Sequence, residues 1–110
     1  MKPICLPGKE LLIRRLFYCP VTGIFKWKER FGFIYLDEKR APVAGTVKSN
    51  GYLQIRVDSR IYLAHRLAWK IIHGADPVLE IDHIDHNRLN NAISNLRELT
   101  HQENCARRLG

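Results

Sequence analysis

Residues 78–104 read VLEIDHIDHNRLNNAISNLRELTHQEN, and the order of elements within them decides how the C-terminal third folds. Pro77 blocks continuation of any helix before it, and Val78 to Ile84 reads as extended. His86 to Ser94 holds three asparagines and an arginine, a composition that suits a loop. Leu96 to Leu99 is short and apolar at its ends, as a returning strand would be. Thr100-His101-Gln102-Glu103 is a capping box, with Thr100 as the cap and Glu103 reaching back to it. A helix over 101–108 follows. The plan is strand, loop, strand, helix.

Working outward, Ala64, Leu67, Ala68, Ile71 and Ile72 form a helical stripe, and Gly74 is placed to end that helix. Before it, 43–48 can be a strand, and Asn50-Gly51 is a pair favoured in tight hairpin turns. From Tyr52 to Val57 the residues alternate, with Leu53, Ile55 and Val57 on one face. Asp58-Ser59 turns, and 60–63 can return as a third strand. Further out, Leu11, Leu12 and Leu16, with Ile13 more weakly, put a short amphipathic helix over 8–17. Residues 19–23 have turn chemistry, 24–28 alternate like a strand, and 29–42 show no clear period and read as a loop. The fold class expected is α+β: a small antiparallel β-meander and helix leading into the C-terminal strand–loop–strand–helix. The 110 residues are enough for one domain, divided here as 1–42, 43–74 and 76–108.

The composition narrows the partners. Eighteen Lys and Arg against eleven Asp and Glu give a formal charge of +7. Such a surface attracts polyanions, nucleic acid first among them because bound phosphates release counterions. Charge alone leaves an anionic membrane surface or an acidic protein open. No apolar run is long enough to span a bilayer, and the first residues lack the apolar core of a secretory signal. Cys5, Cys19 and Cys105 are odd in number and far apart, with no C-x-x-C. A cytoplasmic protein with reduced thiols, and without a membrane partner, is expected.

Asp76, Glu80, Asp82 and Asp85 crowd four carboxylates into ten positions of a basic chain, which repel unless a cation offsets them. A hard divalent ion takes one or two protein oxygens and leaves the rest to water and phosphate. Asp82 could supply one oxygen and the Asn104 amide, in the first turn of the capped helix, another. His83 is a suitable base toward water, because an imidazole ordinarily titrates near working pH. There is a difficulty: neighbours on a straight strand point to opposite faces. Asp82 and His83 can serve one site only if the backbone bends where strand becomes loop.

These residues resemble the HNH, or ββα-metal, nucleases, in particular the phage and intron-encoded homing-type HNH endonucleases. The resemblance is carried by Ile81-Asp82-His83-Ile84-Asp85, Asn87, Asn90-Asn91, Ser94-Asn95-Leu96 and Gln102-Glu103-Asn104. It extends upstream through Tyr62 to Trp69 and Gly51-Tyr52, and more loosely to Pro20 through Trp27. It implies a magnesium-dependent hydrolysis of double-stranded DNA, with Mn²⁺ or another divalent metal as a substitute, leaving 5′-phosphate and 3′-hydroxyl ends. Asp82 and Asn104 would ligate the metal. His83 would activate water, and Asn95 would tie the loop and orient the His83 ring. His86 stands where relatives often carry glycine, so strain or a DNA contact is expected there.

Arg56, Arg60, His65, Arg66, Arg88, Arg97, Arg107 and Arg108 are the candidate DNA-binding residues. His65 is divided between packing and a site-edge role, Asn90 and Asn91 read as loop formers bonding their own backbone, and His73 and His101 as solvated helix-end residues. The runner-up is a non-catalytic DNA-binding module on the same scaffold. A third reading is a zinc-stabilised interaction domain using His83, His86 and Asp85, which has too few soft ligands. Target sequence, oligomeric state and one- versus two-strand cutting are not written in the sequence.

Overall fold

The computed structural model describes residues 6–109, with side chains through residue 106; Cys5 lies outside the described residues. Three helices and four small antiparallel sheets alternate along the described chain. Helix α1 (Lys9–Arg15) leads into β1 (Leu16–Tyr18), which pairs with β2 (Phe25–Trp27). β3 (Glu29–Arg30) and β4 (Phe33–Ile34) make a minimal hairpin. β5 (Thr46–Val47), β6 (Leu53–Val57) and β7 (Arg60–Leu63) form a three-stranded meander, followed directly by α2 (Ala64–His73). The last unit is β8 (Glu80–His83), a loop with a 3₁₀ turn at Ile93–Asn95, β9 (Leu96–Leu99) and α3 (His101–Leu109). This is the α+β class expected.

One apolar core joins these pieces. Leu12, Leu16, Phe25, Ile55, Val57, Leu67, Ala68, Ile81 and Leu96 come from every part of the chain and pack in a single cluster. Each large side chain removed from water there contributes about 1.5–3 kcal/mol. Ile55 and Val57 lie on the β6 face that the alternation assigns to the core, while Arg56 between them is exposed. In α2 the predicted stripe buries Ala64, Leu67 and Ala68, but Ile72 is exposed. Gly74 ends the helix in the left-handed region (φ 73°), its N–H on the Lys70 carbonyl.

Two stretches depart from expectation. The first helix stops at Arg15, and Leu16 to Tyr18 continue as strand because pairing with β2 and burial of Leu16 outweigh the helical spacing. Residues 29–42, expected as loop, contain the β3–β4 hairpin. Two-residue strands are too short to display a period. In the other direction, the strand expected over 43–48 shrinks to Thr46–Val47, with Val43 bridging singly to Lys26.

The N-terminal turn also docks on the C-terminal loop. Gly23 (φ 76°) presses so closely on residues 91–92 that a Cβ there would sit 2.1 Å from the Ala92 nitrogen. The Pro20 carbonyl accepts from Ile93 N–H, and the Tyr18 hydroxyl donates to the Asn91 carbonyl at 2.6 Å. A turn near the start of the chain thus sets the back wall of the loop that matters most.

Candidate active site

β8 presents two chemistries on its two faces. Glu80 meets α3, while Ile81 joins the core and His83 packs toward α2. Pairing with β9 sets Asp82 opposite Arg97 and His83 opposite Leu96. The strand ends at His83, and the chain turns at once, with His86 N–H on the His83 carbonyl. Asp82 and His83 both line one cavity of about 270 Å³, together with Tyr52, Ile81, His86, Arg88 and Asn104.

The His83 ring is held on several sides. Its Nε2 lies 2.8 Å from Asn91 Oδ1. A carbonyl oxygen only accepts, so Nε2 carries the proton and Nδ1 is the ring's basic nitrogen. Asn91 is 1% exposed and is gripped from behind by Tyr18, whose hydroxyl pKa is pushed up to about 12 by burial, with Cys19 adding to it. His65 sets its ring edge-on to His83 at 5.0 Å, and Tyr52 approaches both rings, at 5.4 and 5.9 Å. Burial, with His83 and Arg66 nearby, drives the His65 pKa down to about 3, so this imidazole is neutral at working pH.

Three expectations change here. Asn91, expected to bond its own backbone, presents its side chain to the His83 ring in the place expected of Asn95. Asn95 ties the loop instead: its Nδ2 donates to Asp85 Oδ1 (2.9 Å) and the Asn90 carbonyl (2.9 Å), and its Oδ1 accepts from Asp85 N–H (3.0 Å). Asp85 also accepts from Asn90 Nδ2 and Asn87 N–H, both at 2.8 Å. Those donors, Asn90 first, hold its carboxyl below the usual range. His65, expected among the DNA contacts, is 7% exposed and faces His83 rather than the surface. The helical spacing that buries Ala64 and Ala68 also puts His65 inside, where its ring meets His83.

His86 has φ 63°, the left-handed region that glycine enters without cost, which accounts for the glycine the family resemblance implies there. The turn strains an imidazole at the cavity mouth. The zinc alternative fails in geometry. His83 is engaged with Asn91 and Asp85 with three asparagines, and among the described residues no three His, Cys, Asp or Glu side chains converge to hold an ion.

The oxygen donors fit a hard cation better. Asp82 and Asn104 are both buried and line the same cavity, one from β8 and one from the capped turn of α3. The capping box is formed, Thr100 N–H on Glu103 Oε1 (2.9 Å) and Glu103 N–H on Thr100 Oγ1 (3.1 Å), and it fixes that first turn. Asn104 Nδ2 donates to Glu80 Oε1 at 2.9 Å, so the amide's oxygen end is the one turned from Glu80. One carboxylate and one amide oxygen in an open pocket leave room for water and phosphate, the coordination Mg²⁺ prefers. His101 is a solvated helix end as expected, 79% exposed, and it also pairs with Glu80 through Nδ1 at 2.6 Å.

The cations are distributed unevenly. Arg88 lines the cavity, lies over the Tyr52 ring at 4.9 Å and donates to the Asn50 carbonyl, bridging the loop after β8 to the β5–β6 turn. Arg97 pairs with Asp82 at 3.1 Å while its side chain stays 42% exposed. Arg56 is exposed in a separate pocket with Arg15 and Arg30, Arg60 is exposed on β7, and Arg66 is half-buried beside Glu80 and His101. The Arg107 and Arg108 side chains lie outside the described residues.

A two-stranded hairpin and a capped helix thus set a carboxylate, an imidazole and an amide around one cavity. Residues 62–106 match the model of the HNH endonuclease family. The chain is 39% identical over 99 residues to an uncharacterized HNH endonuclease of Acanthamoeba polyphaga mimivirus, covering 84% of this chain and 50% of that one. Its fold is similar to that of the HNH homing endonuclease I-HmuI, from a structure of DNA binding and cleavage by that enzyme, with TM-score 0.60 and 23% identity over 86% of this chain and 52% of the other. The chain therefore spans about half the length of both relatives. Among the described residues no helix is long and apolar enough to cross a membrane.

Proposed function

We propose that this chain is the catalytic unit of a divalent-metal-dependent endonuclease acting on double-stranded DNA. The observation that carries the reading is the convergence on one cavity of Asp82, Asn104 and a His83 whose proton is fixed on Nε2 by Asn91. His83 Nδ1 accepts the proton of the attacking water as it adds to phosphorus. Asp82 and Asn104 would hold the ion, for which Mg²⁺ is the expected occupant. When bound, it polarises the scissile phosphate and neutralises charge on the departing 3′ oxygen. The products are then a 5′-phosphate and a 3′-hydroxyl. Arg88, at the cavity and braced by Tyr52, is the cation placed to meet the phosphates beside the cut. Arg56 and Arg60, exposed on the meander, extend the basic surface away from the site.

The test is a supercoiled plasmid incubated with the protein and Mg²⁺ or Mn²⁺, with and without EDTA. Conversion to open-circular or linear DNA, stopped by EDTA and reduced about 10²–10⁴-fold in His83→Ala, is the expected result. His83→Ala should still bind the same DNA in a gel shift, because affinity rests on the Arg and Lys surface. Binding without any cleavage by the unaltered protein would replace this reading with that of a DNA-binding module.

A further inference from the structure

Glu80 stands two residues before Asp82 on β8, and its two oxygens are divided between residues about one turn apart on α3. Oε1 accepts from Asn104 Nδ2 at 2.9 Å, and Oε2 pairs with His101 Nδ1 at 2.6 Å. His101 Nε2 in turn lies 3.5 Å from Cys105 Sγ. A primary amide has nearly the same shape in either of its two orientations, but one end donates two protons and the other accepts. For a cation the two ends are opposites. A carboxylate accepts only, so it stabilises the orientation that gives it the NH₂ and disfavours the one that sets oxygen against oxygen. His101 occupies the second carboxylate oxygen, so Glu80 cannot easily swing away from the amide.

We propose that Glu80, braced by His101, is a positioning residue that selects the orientation of the Asn104 amide and thereby makes that asparagine an oxygen donor to the metal. The proposal rests on the reading of Asn104 as a metal ligand. It assigns a use to one of the four crowded carboxylates. Without Glu80, the Asn104 NH₂ and oxygen compete for the cavity side, and a fraction of molecules turn protons toward the cation.

The experiment is calorimetric titration of Mn²⁺ into the DNA-free His83→Ala protein, with thermal melts of every variant. Losing a partner that orients a metal ligand costs about 10–100-fold in metal affinity, and that is the loss expected for Glu80→Ala, which removes the acceptor altogether. Asn104→Asp alone should also bind weakly, because it sets two carboxylates against each other. Glu80→Gln combined with Asn104→Asp should recover most of the parental affinity. The amide introduced at position 80 then donates to the carboxylate introduced at position 104, and either oxygen of that carboxylate can face the cation. Unchanged affinity in Glu80→Ala overturns the proposal. So does a double variant that folds like the parent yet binds no better than Asn104→Asp alone, since Glu80 would then act as a ligand or a helix clamp. Failure of the underlying reading looks different: Asn104→Ala would bind Mn²⁺ as the parent does.

Discussion

Residues 80–104 and residues 29–43 place their polar and apolar side chains in opposite senses. In the first, Asp82, His83, Asn91, Asn95 and Asn104 are all buried, and each is engaged by a named partner. In the second, Phe31, Phe33, Ile34, Leu36 and Val43 are all exposed, Phe31 at 85% and Leu36 at 91%. Hydrophobicity alone would rank these regions the wrong way round. Burying polar side chains costs free energy unless every one is satisfied, and such a network fixes geometry when it is. An exposed apolar hairpin with two-residue strands fixes little. The contrast says where substitutions should be felt, and how each kind should differ.

The largest effect is expected at the centre of the polar network. Asn91→Ala leaves His83 Nε2 without its acceptor and opens space behind the loop, a combination worth about 2–3 kcal/mol of stability. Cleavage should fall by about 100-fold as well, because the imidazole loses both its tautomer and its aim. Urea unfolding and single-turnover plasmid cleavage measure the two losses. Asn95→Ala should instead loosen the Asp85 knot while leaving the His83–Asn91 bond in place. If Asn95→Ala slowed cleavage more than Asn91→Ala at matched folded fraction, the assignment of the two asparagines would be reversed.

How much of this contrast was legible beforehand depended on whether the signal was local. The capping box, Gly74, Pro77 and the Asn-Gly turn are written in a few adjacent residues, and the elements they mark are present. Asp82, His83 and Asn104 meet at one cavity because strand pairing and the cap bring them there. Which loop asparagine faces the imidazole was not local. It depends on Tyr18 and Gly23 pressing the backbone at 91–92 from the other end of the chain. The Arg97–Asp82 pair required the β8–β9 register, and the burial of His65 required knowing which side of α2 meets β8. The 29–34 hairpin gave no pattern because its strands are shorter than a period can be read from.

A second, intermediate effect separates the regions by pH. His65 has a folded pKa of about 3, against about 6.5 in an unfolded chain, so on acidification the unfolded state takes the proton first. Its contribution to stability is therefore fully present above about pH 6.5 and is lost as pH falls toward 3, by roughly 1.4 kcal/mol per unit. By about pH 5 that amounts to about 2 kcal/mol. The groups facing it are the His83 and Tyr52 rings, with Arg66 beside it, and none is a carboxylate that would favour its charging. Urea unfolding at about pH 7.5, 6 and 5 should show a shallower slope for His65→Leu than for the parent. Parallel slopes would mean that another group governs the acid limb.

The smallest effect is expected at the hairpin tip, and its sign is what matters. Phe31 sits at φ 51°, where a side chain is crowded and Gly or Asn is at ease, and its ring is 85% exposed beneath the Arg30 guanidinium. Phe31→Asn removes the left-handed strain and loses little burial. It should leave stability unchanged or raise it by up to about 1 kcal/mol, where a change of the same size in the polar network would lower it. Metal-dependent cleavage of the plasmid should be unaltered, since Phe31 is not among the residues lining the cavity with Asp82 and His83. A loss of more than about 1 kcal/mol on the urea curve would show that Phe31 is held by packing worth more than its strain. The hairpin would then belong with the ordered half of the molecule, and the contrast between the two regions would have to be redrawn around chemistry rather than rigidity.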